Sequence, residues 1–146
     1  MHVEPFHPEH LRTLQPHRES DRLLLGPVLA NPKYGEALAA AGPAFTGFVD
    51  DQPIGCAGVI CLDEGRDRGH VWALMTSLTG GHMLAITRVI LRFLQWTDIR
   101  RLETQVFLDW PPGQHWVEML GFQREGLMRQ YTPDKRDAWL YARVKD

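Results

Sequence analysis

The apolar positions of this chain change period along its length. Ala44 to Val49 and Ile54 to Leu62 run as short β-type stretches of Val, Ile, Phe and small residues. Asp50-Asp51-Gln52-Pro53 between them has turn chemistry, so the two stretches predict a β-hairpin. A third stretch, His70 to Thr76, follows the polar turn Asp63 to Gly69. From about His82 to Trp96 the period becomes helical. Met83, Leu84, Ile86, Val89, Ile90, Phe93 and Leu94 form a wide apolar side, and Arg88, Arg92 and Gln95 a polar stripe. A helix this apolar is expected to lie on a sheet. Arg101 to Asp109 is strand-like again. Strand, Gly80-Gly81 loop, helix and strand make a βαβ unit, whose strands are expected to be adjacent and parallel.

The flanks extend the pattern. His2 to Phe6 reads as a short strand, and Pro8-Glu9 opens a short helix that stops before Pro16. Asp21 to Ala41 is a second helical region, interrupted at Asn31-Pro32. After the βαβ unit, Trp116, Val117, Met119 and Leu120 mark a short helix that Gly121 ends. Arg124 to Tyr131 and Ala138 to Val144 are strands joined by the turn Thr132 to Asp137. The expected core holds Leu24, Phe48, Ile60, Leu74, Ile86, Ile90, Phe93, Leu102, Val106, Leu120 and Phe122. No repeat, linker or low-complexity tract interrupts the 146 residues, which are expected to form one domain, 1–146.

Composition narrows the class. A formal net charge of −2 sets up no global field toward nucleic acid or a membrane surface. The apolar stretches fall short of a bilayer span, and the N-terminus lacks the pattern of a signal peptide. Cys56 and Cys61 sit five apart in one expected strand, hence on opposite faces, and cannot bridge locally. Reduced thiols and a cytoplasmic setting are the expectation. His2, His7, His10 and His17 crowd the first segment without metal-ligand spacing, so no metal site is expected. The loop at Gly80, Gly81 and His82 leads into a helix N-terminus. It reads either as a plain βα connection or as a phosphate cradle built from backbone N–H groups, with the glycines supplying positive φ.

The element order, the opening Pro8-Glu9-His10-Leu11 and the segment Val117-Glu118-Met119-Leu120-Gly121-Phe122 resemble the GNAT superfamily of acyl-CoA-dependent N-acetyltransferases over essentially the whole chain. The resemblance implies an α/β fold: a mixed, mostly antiparallel central sheet with one parallel, splayed strand pair and helices on both faces. It implies acetyl-CoA as cosubstrate, a primary amine on a small molecule or peptide as acceptor, no nucleic-acid or membrane partner, and a monomer or homodimer. The family's cofactor signature, Gln/Arg-x-x-Gly-x-Gly/Ala, would fall on this loop. With Gly80 as its first glycine, Ser77 and His82 replace the outer residues; with Gly81, Leu78 and Met83 do. Cofactor contacts are then implied for Leu74, Met75 and Thr76 along the strand and for Gly80, Gly81 and His82 in the loop. The family's strand carboxylate is missing, and His70 is the nearest titratable substitute, or else a surface histidine. Val117 stands where the family has a tyrosine acid, so His115 or Tyr131 would take that role unless they serve packing or solvation alone. Thr76-Ser77-Leu78 and the last helix also resemble phage-encoded GNAT-like proteins, some of them virion components. The two functions implied are an N-acetyltransferase and a catalytically inactive structural or interaction module on the same fold.

Overall fold

A computed structural model of the protein describes residues 1–14 and 31–146. In chain order these are β1 (His2–Pro5), a 3-10 turn (Pro8–Arg12), α1 (Pro32–Ala41), β2 (Ala44–Val49), β3 (Gln52–Cys61), β4 (Arg68–Met75), a second 3-10 turn (Ser77–His82), α2 (Met83–Trp96), β5 (Arg101–Phe107), α3 (Pro111–Met119), β6 (Gln123–Met128) and β7 (Ala138–Val144). The strands form one seven-stranded sheet in the order β1-β2-β3-β4-β5-β7-β6. It is mixed and mostly antiparallel, and β4 and β5 are its parallel pair, as the βαβ reading required. The helical stretch expected between Asp21 and residue 30, with Leu24, lies outside the described residues.

The hairpin is tighter than expected. Asp50 and Asp51 both take positive φ, 49° and 62°, as a two-residue turn matched to strand twist requires. Gln52 and Pro53 therefore belong to β3 rather than to the turn. Proline is tolerated there because the register shifts: Phe48 faces Pro53, Gly47 faces Gly55, and Ile54 is left as the extra residue of a bulge. Farther along β3, a Cβ at Gly58 would stand 2.6 Å from the Ala44 Cβ and 2.8 Å from the Pro43 carbonyl oxygen. The missing side chain lets the neighbouring Val59 N–H reach that carbonyl at 2.9 Å.

The residues group into two compact units, Met1–Ile60 with Trp72–Val89 and Cys61–Val71 with Ile90–Asp146. In the first, Leu11, Leu14, Leu38 and Cys56 are buried, with Phe6, Tyr34, Ile60, Trp72 and Leu74 packed against them. In the second, Leu94, Leu102, Val106, Val117, Leu120, Phe122 and Tyr141 are buried. Of the expected core, Phe48, Leu102, Val106, Leu120 and Phe122 are buried, whereas Ile60, Leu74, Ile86, Ile90 and Phe93 are half-buried. The deepest residue of α2 is Leu94, 1% exposed. Apolar residues occupy more of that helix's circumference than one sheet face covers, and Leu84 and Trp96 remain exposed.

Candidate active site

The end of β4 is fixed by an unusual pair of bonds. The Thr76 N–H and Oγ1 both donate to the carbonyl of Ile54, the bulged residue of β3, at 3.3 and 2.8 Å. Amides along an extended strand point alternately to its two edges. With the Thr76 amide turned toward β3, the Met75 amide is directed away from it. Leu74 packs its side chain into the core of the first unit, and Met75 is half-buried. At the other end of β4 the parallel ladder is short. It pairs Arg68 with Arg101, Gly69 with Leu102 and His70 with Glu103. The carbonyl of Val71 then accepts from the Thr104 side-chain hydroxyl at 3.0 Å.

The glycine segment differs from the expected open loop. Ser77–His82 is a 3-10 turn that runs directly into α2. In 3-10 winding N–H groups bond carbonyls three residues back, so the segment is wound rather than open. In any helical run the donors without an internal partner are those of its first residues. Neither glycine takes positive φ, because 3-10 winding uses φ of the ordinary helical sign. A Cβ on either would meet nothing within 4 Å. What Gly80 and Gly81 contribute is bare, exposed backbone surface, and His82 is half-buried beside them.

The titratable candidates fall in the second unit. His70 is half-buried, and burial lowers its imidazole below the ordinary value while Glu103 pulls it back up. Glu103 accepts from the Arg101 Nε at 2.8 Å and pairs with the Arg68 Nε at 3.4 Å. The Arg101 bond, despite some burial, holds its carboxyl below the usual range. His115 and Tyr131 are exposed, and no hydrogen bond joins His70, His115 and Tyr131 among the described residues. Val117, in the position of the family's tyrosine, is buried. Two residues went unnoticed in the sequence. Glu103 becomes visible once β4 and β5 are aligned in parallel. Tyr141, 0% exposed, donates its hydroxyl to Glu118 at 2.9 Å and accepts from the Arg124 Nη2 at 3.1 Å. Burial raises its hydroxyl, Arg124 opposes this and Glu118 adds to it. Nothing in the local sequence announces that network, because its members come from α3, β6 and β7. No group of three or more potential metal ligands occurs among the described residues. No helix among them is long and apolar enough to cross a membrane.

Solved N-acetyltransferases share this architecture from end to end. The ribosomal-protein-alanine N-acetyltransferase of Brucella melitensis superposes with a TM-score of 0.73 at 11% identity, covering 99% of this chain and 100% of its own. The fold is that of the GNAT acetyltransferases. An acetyltransferase of the GNAT family from Streptococcus pneumoniae gives a TM-score of 0.72 at 14% identity, covering 99% of both chains. A variant of the spermidine N-acetyltransferase of Vibrio cholerae gives 0.67 at 15% identity, covering 99% of this chain and 95% of its own. No protein-family model and no curated protein sequence matches the chain. The likeness therefore resides in the GNAT fold itself, and the chemistry has to be argued from the residues this chain places on it.

Proposed function

We propose that the protein is a single-domain, acyl-CoA-dependent N-acetyltransferase that moves an acetyl group from acetyl-CoA to a primary amine on a small molecule or peptide. The observation that carries this reading is the anchoring of Thr76 on Ile54, which leaves the Met75 amide directed away from β3. A backbone N–H held that way suits the oxyanion formed when an amine attacks a thioester carbonyl. The tetrahedral adduct then expels the CoA thiolate, the attacking nitrogen gives up a proton, and no covalent enzyme intermediate is needed. The exposed surface of Gly80 and Gly81 with the first amides of the 3-10 turn offers the pyrophosphate a place at the start of the helical run.

His70 belongs to the second unit and Met75 to the first. His115 and Tyr131 are surface groups, and His70 is held neutral by burial. Solvent then takes the proton, and the acceptor amine enters already neutral. The enzyme works in the cytoplasm as a monomer or homodimer, with no nucleic-acid or membrane partner.

Met75→Pro tests the reading, because it removes one N–H from the edge of β4 that does not face β3. Turnover of acetyl-CoA with a panel of amines should fall by about 100-fold or more, while calorimetric binding of CoA persists. Equal loss of both would remove Met75 from the oxyanion role. Absence of heat from acetyl-CoA and CoA near ~100 μM, with the wild type folded, favours the second reading, a non-catalytic GNAT-fold module. The 3-10 winding of Gly80, Gly81 and His82 and the buried Val117 favour that alternative, which fits the phage-encoded resemblance.

A further inference from the structure

The first 3-10 turn is capped by two histidines in reciprocal fashion. The His7 Nδ1 accepts from the Glu9 N–H at 3.1 Å, and the His10 Nδ1 accepts from the His7 N–H at 3.1 Å. Serine or threonine with glutamate ordinarily fills these places, and those side chains do not change charge near neutral pH. Imidazole does. A ring nitrogen accepts only while it carries no proton, so both caps require both rings neutral with Nδ1 bare.

His10 also ties the turn to the sheet. Its Nδ1 lies 2.8 Å from the Thr46 Oγ1 on β2, and that hydroxyl lies 3.3 Å from the Cys56 Sγ on β3. The ring stands edge-on to Phe48 at 5.0 Å and to Phe6 at 6.2 Å. The turn it caps holds Leu11, 3% exposed, in the core of the first unit. Its Pro8 Cβ lies 3.0 Å from where a Gly35 Cβ would stand on α1, so turn and helix are in tight contact.

We propose that this pair is an acid-operated latch: a proton taken up from solvent at the Nδ1 of His10 turns its cap acceptor into a donor and frees the His7 N–H, loosening the start of the turn Pro8–Arg12 while the Thr46 contact holds it to β2. The contact with Thr46 survives protonation of His10, because the hydroxyl can reverse and donate toward Cys56. The contact with the His7 N–H does not survive, because two donors then face each other. The groups around His10 are His7 on its own segment, Glu4 on β1, Thr46 and Phe48 on β2, and Cys56 behind Thr46. Burial and His7 oppose protonation of His10, and Glu4 favours it. Release is therefore an acid event that sets in below the ordinary histidine range.

The test is amide hydrogen exchange of the whole protein between pH 7.5 and 5, read at His7 and Glu9 and corrected for intrinsic rates. Protection at the His7 amide should fall by about tenfold as His10 takes up its proton, the size of one or two lost caps. The other strands of the first unit should keep theirs. In His10→Asn the Oδ1 supplies a non-titrating acceptor in the place of Nδ1, and the pH dependence at His7 should vanish. Persistence of the same loss in that variant would overturn the latch. Should the variant fail to fold, nitrogen-15 shifts of the wild-type imidazoles decide: a proton on the His10 Nδ1 at pH 7.5 refutes the proposal, and bare Nδ1 atoms that gain protons in step with the amide changes support it.

Discussion

At the scale of single residues, Cys56 shows how burial sets chemistry. Its thiol is 2% exposed, with the Thr46 hydroxyl as polar neighbour. Burial pushes it up to about 11, and the Thr46 bond only partly opposes this. Thiolate is the reactive form, so the row of thiol, hydroxyl and imidazole through Cys56, Thr46 and His10 does not make a nucleophile. Iodoacetamide at pH 8 should label Cys61, which is half-buried, and leave Cys56 unmodified in the native protein. Peptide mass spectrometry reads the outcome, and early labelling of Cys56 would contradict its burial. At this scale the sequence informs unevenly. That Cys56 and Cys61 cannot bridge follows from strand alternation alone. That Glu103 faces His70 depends on strand register, and no local pattern encodes it. The conformation of Gly80 and Gly81 is not legible in the sequence, because two adjacent glycines permit positive φ without requiring it.

At the scale of elements, Gly121 is the clearest case of a residue chosen for its backbone. It follows α3 at φ +92°, its N–H bonds the Glu118 carbonyl at 3.0 Å, and the Phe122 N–H bonds the Val117 carbonyl at 3.1 Å. Both bonds depend on the left-handed residue between them. Gly121→Ala should lower stability by about 1–2 kcal/mol, the cost of forcing an L-residue into that region. The nearest group to the new methyl is the Arg143 Nε at 3.3 Å, the end of a flexible side chain, so clash adds little. Urea denaturation checks this, and an unchanged midpoint would mean the helix end can close another way. This stop was readable from Leu-Gly-Phe, and the βαβ unit from strand, glycines and periodic helix. Pro53 inside β3 was not readable. Proline normally argues against a strand, and only the bulge at Ile54 makes room for it. The same bulge places the carbonyl that anchors Thr76, so the feature least visible in the sequence is the one that orients the candidate oxyanion donor.

At the scale of the whole molecule, the boundaries between the two compact units fall inside regular elements: after Ile60 in β3, after Val71 in β4 and after Val89 in α2. Unfolding either unit alone would fray two strands and divide a helix of 14 residues. One urea transition is therefore expected, with tryptophan fluorescence and far-ultraviolet circular dichroism coinciding. Two separated transitions would sink the reading of residues 1–146 as one domain. Each unit also holds a histidine that burial keeps below its ordinary value, His10 in the first and His70 in the second. Their unfolded forms take up protons at a higher pH than their folded forms do, so acid favours the unfolded chain. Stability from these two sites is complete above about pH 6.5 and is lost as the pH falls from there through the folded-state values. The urea midpoint should accordingly be lower at pH 5.5 than at pH 7.5. With one shared transition expected, removing the proton uptake of either unit should flatten the pH dependence of the whole. His70→Gln should reduce its slope, and adding His10→Asn should reduce it further. A slope unchanged in His70→Gln would show that the fold does not hold that imidazole neutral.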